Sequence, residues 1–358
     1  LLGFGCMRFP QNTDGTINEK EAQKLLDTAI KAGVNYIDTA YPYHNGESEP
    51  FLGRTLKKYP RESFYLATKL PMWDIKTSED VKKIFYKQLE RLQTDYVDFY
   101  LIHCLDKEKW QQDLGVIPFL EDMKQQGKIR FLGFSFHDDF DTFKKILTYR
   151  DWDFCQIQYN YMDRDIQAGD RGYELARKMG IPMIVMEPVK GGMLSGLPKE
   201  AQAILEEADP ERSPASWALR WVGSHPGVKL VLSGMSSEEQ LEDNIRTFSP
   251  FVPLGTQEEE VIGQAAKAIR ARLKNSCTAC RYCMPCPAGV DIPGNFAIWN
   301  EGAMYDIEEK ARKAFKEKQE AGADAGLCIQ CGKCEKVCPQ GIGIRKDLAD
   351  VVKDLSAL

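Results

Sequence analysis

The chain has 358 residues, 43% of them hydrophobic, and a net charge of −6. That length exceeds one small domain and suits a barrel of roughly 250 residues with an appendage. No apolar run approaches the ~20 residues that span a bilayer, and no basic stripe offers a footprint for nucleic acid, so neither is an expected partner. Charges from Lys274 onward balance, which leaves the acidic excess on the first three-quarters of the chain. Of the eleven cysteines, eight fall in two tight C-terminal motifs with ligand spacing rather than the spacing of disulfide staples. That pattern points to a reducing cytoplasm. No secretory signal is visible, and the chain starts at Leu1 rather than Met, which leaves its true N-terminus open.

Eight strand candidates alternate with helix candidates up to about residue 250: Leu2–Gly5, Tyr36–Ala40, Phe64–Lys69, Val97–His103, Phe131–Phe136, Phe154–Tyr159, Met183–Glu187 and Lys229–Ser233. Most are apolar runs rich in β-branched and aromatic residues, and several end in a polar residue. Amphipathic patterns lie between them, among them Glu19–Ala32, Glu79–Leu92, Ile117–Gln126 and Asp139–Thr148. Buried strands alternating with helices imply a parallel sheet covered by helices. Eight repeats allow the sheet to close, so the expected fold is an α/β (β/α)8 TIM barrel, preferred over an open doubly wound sheet. The prolines of Pro250-Phe-Val-Pro253 end it. The expected organisation is therefore a barrel over 1–255, a connecting helix within 256–275 (Thr256–Leu273), and a cysteine-rich domain over 276–358. A charged stretch inside that last domain, Ile307–Ala321, reads as a solvated helix.

In such a barrel the chemistry belongs at the C-terminal ends of the strands. Asp38 follows the second strand, Lys69 ends the third and His103 ends the fourth, while Tyr43 lies just beyond the second. An acid where a buried strand surfaces needs a partner, and Lys69 supplies the cation. A tyrosine near its reference pKa of roughly 10 is a poor acid at neutral pH, and an adjacent ammonium lowers that value. His103 can donate to an oxygen where negative charge develops. Together the four suit protonation of an alkoxide as hydride reaches carbon. Singly, each has a plainer reading: a capping Asp, a snorkelling Lys, a strand-end His. Four matches on consecutive strands outweigh those.

The segments GFGCMRFP, NYIDTAYPYHNGESE, YLATKLP, DYVDFYLIHCLD, RFLGFSFHD, QIQYN and GMSSEEQLEDN together resemble an aldo-keto reductase, in order and over almost all of residues 1–255. The resemblance includes the tetrad Asp38, Tyr43, Lys69 and His103, and it implies NAD(P)H-dependent reduction of a carbonyl or the reverse oxidation of an alcohol. It further implies that Ser135 and Gln156 hold the nicotinamide carboxamide and that Cys6 and Met7 sit against the cofactor. By the same likeness Gly191 and Gly192 lie near the pyrophosphate, and Ser236, Gln240, Asp243 and Asn244 reach the adenosine end. There are departures. Met186 stands where many relatives place a stacking aromatic ring, and Gly234 and Gln240 stand where many carry cations for the 2′-phosphate. NADPH is implied by the family, and these departures keep NADH in play. No dinucleotide glycine fingerprint is present, since Gly3-Phe-Gly5 lacks the third glycine and the helix it would open.

In the tail, Cys277-x2-Cys280-x2-Cys283-x2-Cys286-Pro287 precedes Cys328-x2-Cys331-x2-Cys334-x3-Cys338-Pro339. The second run has bacterial ferredoxin spacing, and the first differs by one residue before its last Cys. In two-cluster ferredoxins the fourth Cys of each run ligates the other cluster. One [4Fe–4S] cluster would then use Cys277, Cys280, Cys283 and Cys338, and the other Cys328, Cys331, Cys334 and Cys286. Zinc is the alternative for any paired C-x2-C. The region resembles the dicluster ferredoxin domain found on one branch of aldo-keto reductases, and its long spacer suggests a mainly helical version. Cys6, Cys104 and Cys155 read as small buried packing residues.

Two functions follow. One is a carbonyl reductase acting on small molecules, with clusters that exchange electrons with a ferredoxin or flavoprotein partner. The other is an electron-transfer or scaffold protein whose barrel merely binds nicotinamide. An intact tetrad favours the enzyme.

Overall fold

A computed structural model of the protein describes residues 1–110 and 115–356. Eight parallel strands pair in sequence order and close on themselves: β1 (Leu2–Gly5), β2 (Tyr36–Asp38), β3 (Tyr65–Pro71), β4 (Val97–Leu105), β5 (Ile129–Phe136), β6 (Phe154–Gln158), β7 (Met183–Met186) and β8 (Val228–Ser233). Pairing of β1 with β8 removes both sheet edges, which an open sheet would have left exposed. Helices α1 (Glu19–Lys31), α2 (Ser48–Thr55), α3 (Ser78–Leu92), α4 (Lys107–Trp110), α5 (Val116–Gln125), α6 (Phe140–Leu147) and α7 (Gly169–Lys178) follow the first six strands. After β7 come α8 (Lys199–Ala208) and α9 (Pro214–Gly223), and after β8 comes α10 (Glu238–Phe248).

The helix starts have local causes. Thr77 and Asp80 form a reciprocal capping box on α3, so Ser78 rather than Glu79 is its first residue. Asp139, expected inside the next helix but one, instead caps α6 by accepting from Thr142 N. Strand ends moved for a similar reason. β4 runs on past His103 through a register shift between Ile102 and Leu105, with Cys104 at a φ of 53°.

The barrel interior follows the two-residue period of its strands. Tyr36, Ala67, Leu101, Phe154, Ile184 and Leu232 form one buried cluster, with Phe99, Met186 and Leu230 against it. Phe154 fills the space left by Gly133, where a Cβ would lie 2.7 Å from its ring. One period further along the same strands, on the same face, stand Asp38, Lys69, His103 and Gln156. The apolar layer is thus the floor of the candidate site.

The chain divides into two compact units, Leu1–Gly192 with Ala215–Thr256, and Met193–Pro214 with Gln257–Leu358. The second unit is helical: besides α8 it has α11 (Thr256–Arg270), α12 (Ile292–Met304), α13 (Glu308–Glu320), α14 (Lys333–Lys336) and α15 (Ile344–Ser356). Arg272 ties α8 into it through Glu200 at 3.2 Å. Its core gathers Val290, Phe296, Trp299, Phe315, Leu348 and Val351, with six of the tail cysteines packed against it. Ala311 and Phe315 are buried there, so α13 is not the fully solvated helix its charge suggested. Asn295 is also buried, bridging Ala323 O at 2.9 Å and Ala325 N at 3.0 Å. No helix among the described residues is long and apolar enough to cross a membrane.

Candidate active site

Asp38 ends β2 and Lys69 sits on β3, which pairs with it, so both side chains enter the barrel mouth as neighbours. The Lys69 ammonium donates to Asp38 Oδ1 at 2.6 Å, to Thr39 O at 2.7 Å and to the Tyr43 hydroxyl at 3.4 Å. Tyr43 opens a short turn in which His44 and Asn45 take positive φ. His44 Nε2 anchors that turn by accepting from Phe9 N at 3.3 Å. His103 meets the Tyr43 ring edge-on with centroids 6.1 Å apart. Its Nδ1 is buried with no hydrogen-bond partner among the described residues. The four residues expected to converge do so.

Their electrostatics follow from burial. Desolvation pushes the Lys69 ammonium down, yet Asp38 and Tyr43 more than offset it, and the group stays protonated above its usual pKa. Burial raises the Asp38 carboxyl, and Lys69 pulls back part of that rise. For Tyr43 the expectation was wrong in net sign. Lys69 does pull the phenol down, but desolvation acts the other way more strongly and Asp38 adds to it, so the phenol lies above its ordinary value. Burial, with Lys69, His137 and Lys109, holds His103 well below 6.5. At neutral pH it is a neutral imidazole with one N–H to donate. Cys6 lies beside Asp38 and Lys69, and burial lifts its thiol well above the normal range, which leaves it unreactive.

The expected cofactor residues divide into three groups. Cys6, Ser135 and Gln156 surround the tetrad: Cys6 is fully buried, Ser135 and Gln156 pair across β5 and β6, and Gln156 Nε2 reaches Asp38 Oδ2 at 3.4 Å. Ser135 Oγ accepts from Cys104 N at 2.8 Å. Gly191, Gly192, Met7, Ser236 and Gln240 lie at the surface around Arg8. The two glycines take φ of 62° and 98°, Met7 is exposed, and Ser236 Oγ donates to Arg8 O at 2.7 Å. Gln240 accepts from Ser236 N at 2.8 Å, just where Ser237 caps α10. Asp243 and Asn244 turn to internal bonds instead, Asp243 with Arg246 at 3.1 Å and buried Asn244 with Ser233 Oγ at 2.7 Å.

In the tail, all eight motif cysteines are free thiols. Cys277, Cys280, Cys283 and Cys338 line one cavity, the set that crossing of the fourth ligand requires. Cys286, Cys328, Cys331 and Cys334 line a second, which Cys283 also borders. Among the described residues no three Cys, His, Asp or Glu side chains close on a single ion.

Three features escaped the sequence reading. Trp73 packs on His103 with centroids 5.1 Å apart and is 45% exposed, so it forms an apolar wall beside the tetrad. Asp163 accepts from Lys190 at 2.7 and 2.8 Å and from buried Asn160 at 3.0 Å, fastening the end of β6 to the glycine loop. Arg8 lies between that loop and Gly234. Trp73 follows Lys69 closely and Asn160 closes the quoted QIQYN, but sequence spacing alone does not say where a loop folds back.

The model of the aldo/keto reductase family matches residues 1–267, and that of a 4Fe-4S dicluster domain matches residues 276–342. The chain belongs to the aldo/keto reductase family and carries a 4Fe-4S dicluster domain after its barrel. Among relatives, the NADH-specific methylglyoxal reductase of Escherichia coli (strain K12) is 26% identical over 296 residues, spanning 70% of this chain and 89% of that protein. The L-galactose dehydrogenase of Arabidopsis thaliana is 29% identical over 308 residues, spanning 76% and 91%. In structure, the holo form of an aldo-keto reductase from Bacillus halodurans is similar with a TM-score of 0.62 and 28% identity, covering 74% of this chain and 91% of that one.

Proposed function

We propose that the barrel is a nicotinamide-dependent oxidoreductase that reduces a small aldehyde or ketone to an alcohol, and runs in reverse, while the tail holds two [4Fe–4S] clusters. The observation that carries this reading is the Lys69 ammonium, tied to Asp38 at 2.6 Å and to the Tyr43 hydroxyl at 3.4 Å, with neutral His103 alongside. A barrel that only bound nucleotide would have no use for a buried lysine held against a tyrosine. The Ser135 and Gln156 side chains, paired across β5 and β6 beside Asp38, suit a polar ring such as a nicotinamide carboxamide. The two cavities, one edged by four thiols and the other by five, suit clusters.

When bound, the nicotinamide supplies the hydride for the carbonyl carbon. Tyr43 gives its proton to the carbonyl oxygen, and Lys69 stabilises the phenolate left behind. His103 donates a hydrogen bond to the same oxygen while charge grows there. Asp38 keeps Lys69 charged, and Trp73 keeps water off one side. Gly234 and Gln240 in place of cations, and the NADH specificity in the name of the Escherichia coli relative, favour NADH over NADPH. When bound, the clusters supply one-electron transfer. Because hydride carries two electrons, we assign their exchange to an external ferredoxin or flavoprotein rather than to the tetrad. Two cysteine runs with ligand spacing rather than disulfide spacing suit a reducing cytoplasmic location.

The test is carbonyl-dependent oxidation of NADH and NADPH by the iron-loaded protein across a panel of small aldehydes and ketones. Turnover with at least one carbonyl is expected. Nucleotide binding without turnover of any carbonyl would favour the electron-transfer reading instead.

A further inference from the structure

We propose that a small acidic ferredoxin docks on the apolar face over Cys286, Cys328, Cys331 and Cys334, which makes that thiol group the electron port of the tail. Tyr282, Ile329 and Val337 each stand between two motif cysteines. They line the same cavity as those four thiols, yet they are 71%, 66% and 52% exposed. Large apolar side chains gathered at one spot and open to water mark an interaction surface. The other cavity differs. Ile292, Phe296, Ile342 and Ile344 on its wall are buried in the core of the helical unit. None of the exposed large hydrophobic side chains lines it, among the described residues.

The charge on the face says what covers it. Lys333 and Arg345, both exposed, are on the cavity wall, and no carboxylate lines it among the described residues. Arg345 lies against Gly332, its Cζ 3.5 Å from where a Cβ there would stand, and donates to Glu335 at 2.9 Å. Lys333 forms no ion pair among the described residues. Across the two cysteine runs Arg281, Lys333 and Lys336 stand against Glu335 alone, in a chain of net charge −6. Clusters, when bound, bring negative charge of their own beneath the face. That lowers the long-range field, but it leaves the solvent-facing cations able to pair with carboxylates inside a Debye length of roughly 10 Å. An apolar centre with a cationic rim fits a partner with an apolar centre and an acidic rim. The inference rests on the cluster reading, because a partner that meets a cluster must carry single electrons. An acidic ferredoxin supplies both properties.

The experiment is calorimetric titration of the full iron-loaded chain with a purified acidic two-[4Fe–4S] ferredoxin, both proteins oxidised. Iron content and the resonance signal of the dithionite-reduced tail are recorded for every variant. The wild type is expected to bind at low salt and to bind more weakly at about 1 M salt, where the Debye length is about 3 Å. Ile329→Ser and Lys333→Glu should each weaken binding by about 10-fold with iron content unchanged. Arg345→Gln, outside both runs, should weaken it in the same direction and decides the matter if Lys333→Glu loses iron. Gln340→Glu, on the wall of the other cavity, should bind like the wild type. Equal weakening by Gln340→Glu would place the port at the other thiol group and overturn the inference. An iron-loaded wild type that binds no ferredoxin, or that prefers basic cytochrome c, would overturn it too. So would unchanged affinity in both Ile329→Ser and Arg345→Gln. A wild-type dimer that Ile329→Ser separates would show that a second copy covers the face, and would overturn it as well. A wild type that takes up no iron would overturn the cluster reading itself.

Discussion

Lys69 keeps a buried charge by holding Asp38 Oδ1 and Thr39 O, and burial, with Lys69 next, depresses the neighbouring His103. That depression has a consequence for stability. The unfolded histidine takes up a proton near pH 6.5, whereas folded His103 does so only at lower pH, so the unfolded chain binds more protons in between. Stability is therefore lost as pH falls below about 6.5, and His44 and His137, also lowered by burial, act with the same sign. Denaturant unfolding at about pH 7.5 and about pH 5.5 should show a smaller loss on acidification for His103→Gln than for the wild type. An equal loss would mean that His103 does not carry the effect. Asp38, Lys69 and His103 were legible because each stands near the end of an apolar run, and Tyr43 because it follows Asp38 closely. The net shift of Tyr43 was not, since it depends on how much water its own turn removes, and no spacing in the chain reports that.

At the scale of elements, the strand that carries Lys69 is braced from outside the barrel. Glu49 on α2 is fully buried and accepts from Thr68 Oγ1 at 2.7 Å and from Gln88 Nε2 at 2.8 Å. Gln88 on α3 also donates to Lys69 O at 3.0 Å and accepts from the Tyr100 hydroxyl at 2.6 Å. One amide thus joins two helices to β3 and β4 behind Lys69. Gln88→Leu should cost about 1–3 kcal/mol, because it leaves buried polar groups short of partners. A denaturation midpoint equal to that of the wild type would show that the network relaxes without loss. Strand number and order were legible from the two-residue and helical periods. Gln88 reads as an ordinary surface residue of an amphipathic helix, and only the closed barrel reveals what it faces. The burial of Phe315 on α13 went unseen for the same reason, because a helix with that many charges shows a narrow apolar stripe only against its partner.

For the whole molecule, the two cysteine runs were fully legible from spacing, and their crossing is testable by iron content. Cys286 and Cys328 belong to different runs but line the same cavity. If ligation is crossed, the double variant Cys286→Ala with Cys328→Ala loses one cluster and keeps about four of about eight irons. If each run binds its own cluster, both are lost. The length of the chain told of a barrel with an appendage, yet it gave no sign that Met193–Pro214, between β7 and β8, would pack with the tail. That grouping depends on contacts such as Arg272 with Glu200, far apart in sequence. The central claim concerns the barrel, and it is tested most directly by single-turnover reduction of a carbonyl by the wild type and Tyr43→Phe, both saturated with the same nicotinamide. The account predicts unchanged cofactor affinity and a rate lower by on the order of 10²–10⁴ in the variant, the loss expected when a positioned proton donor is removed. An unchanged rate in Tyr43→Phe would contradict it.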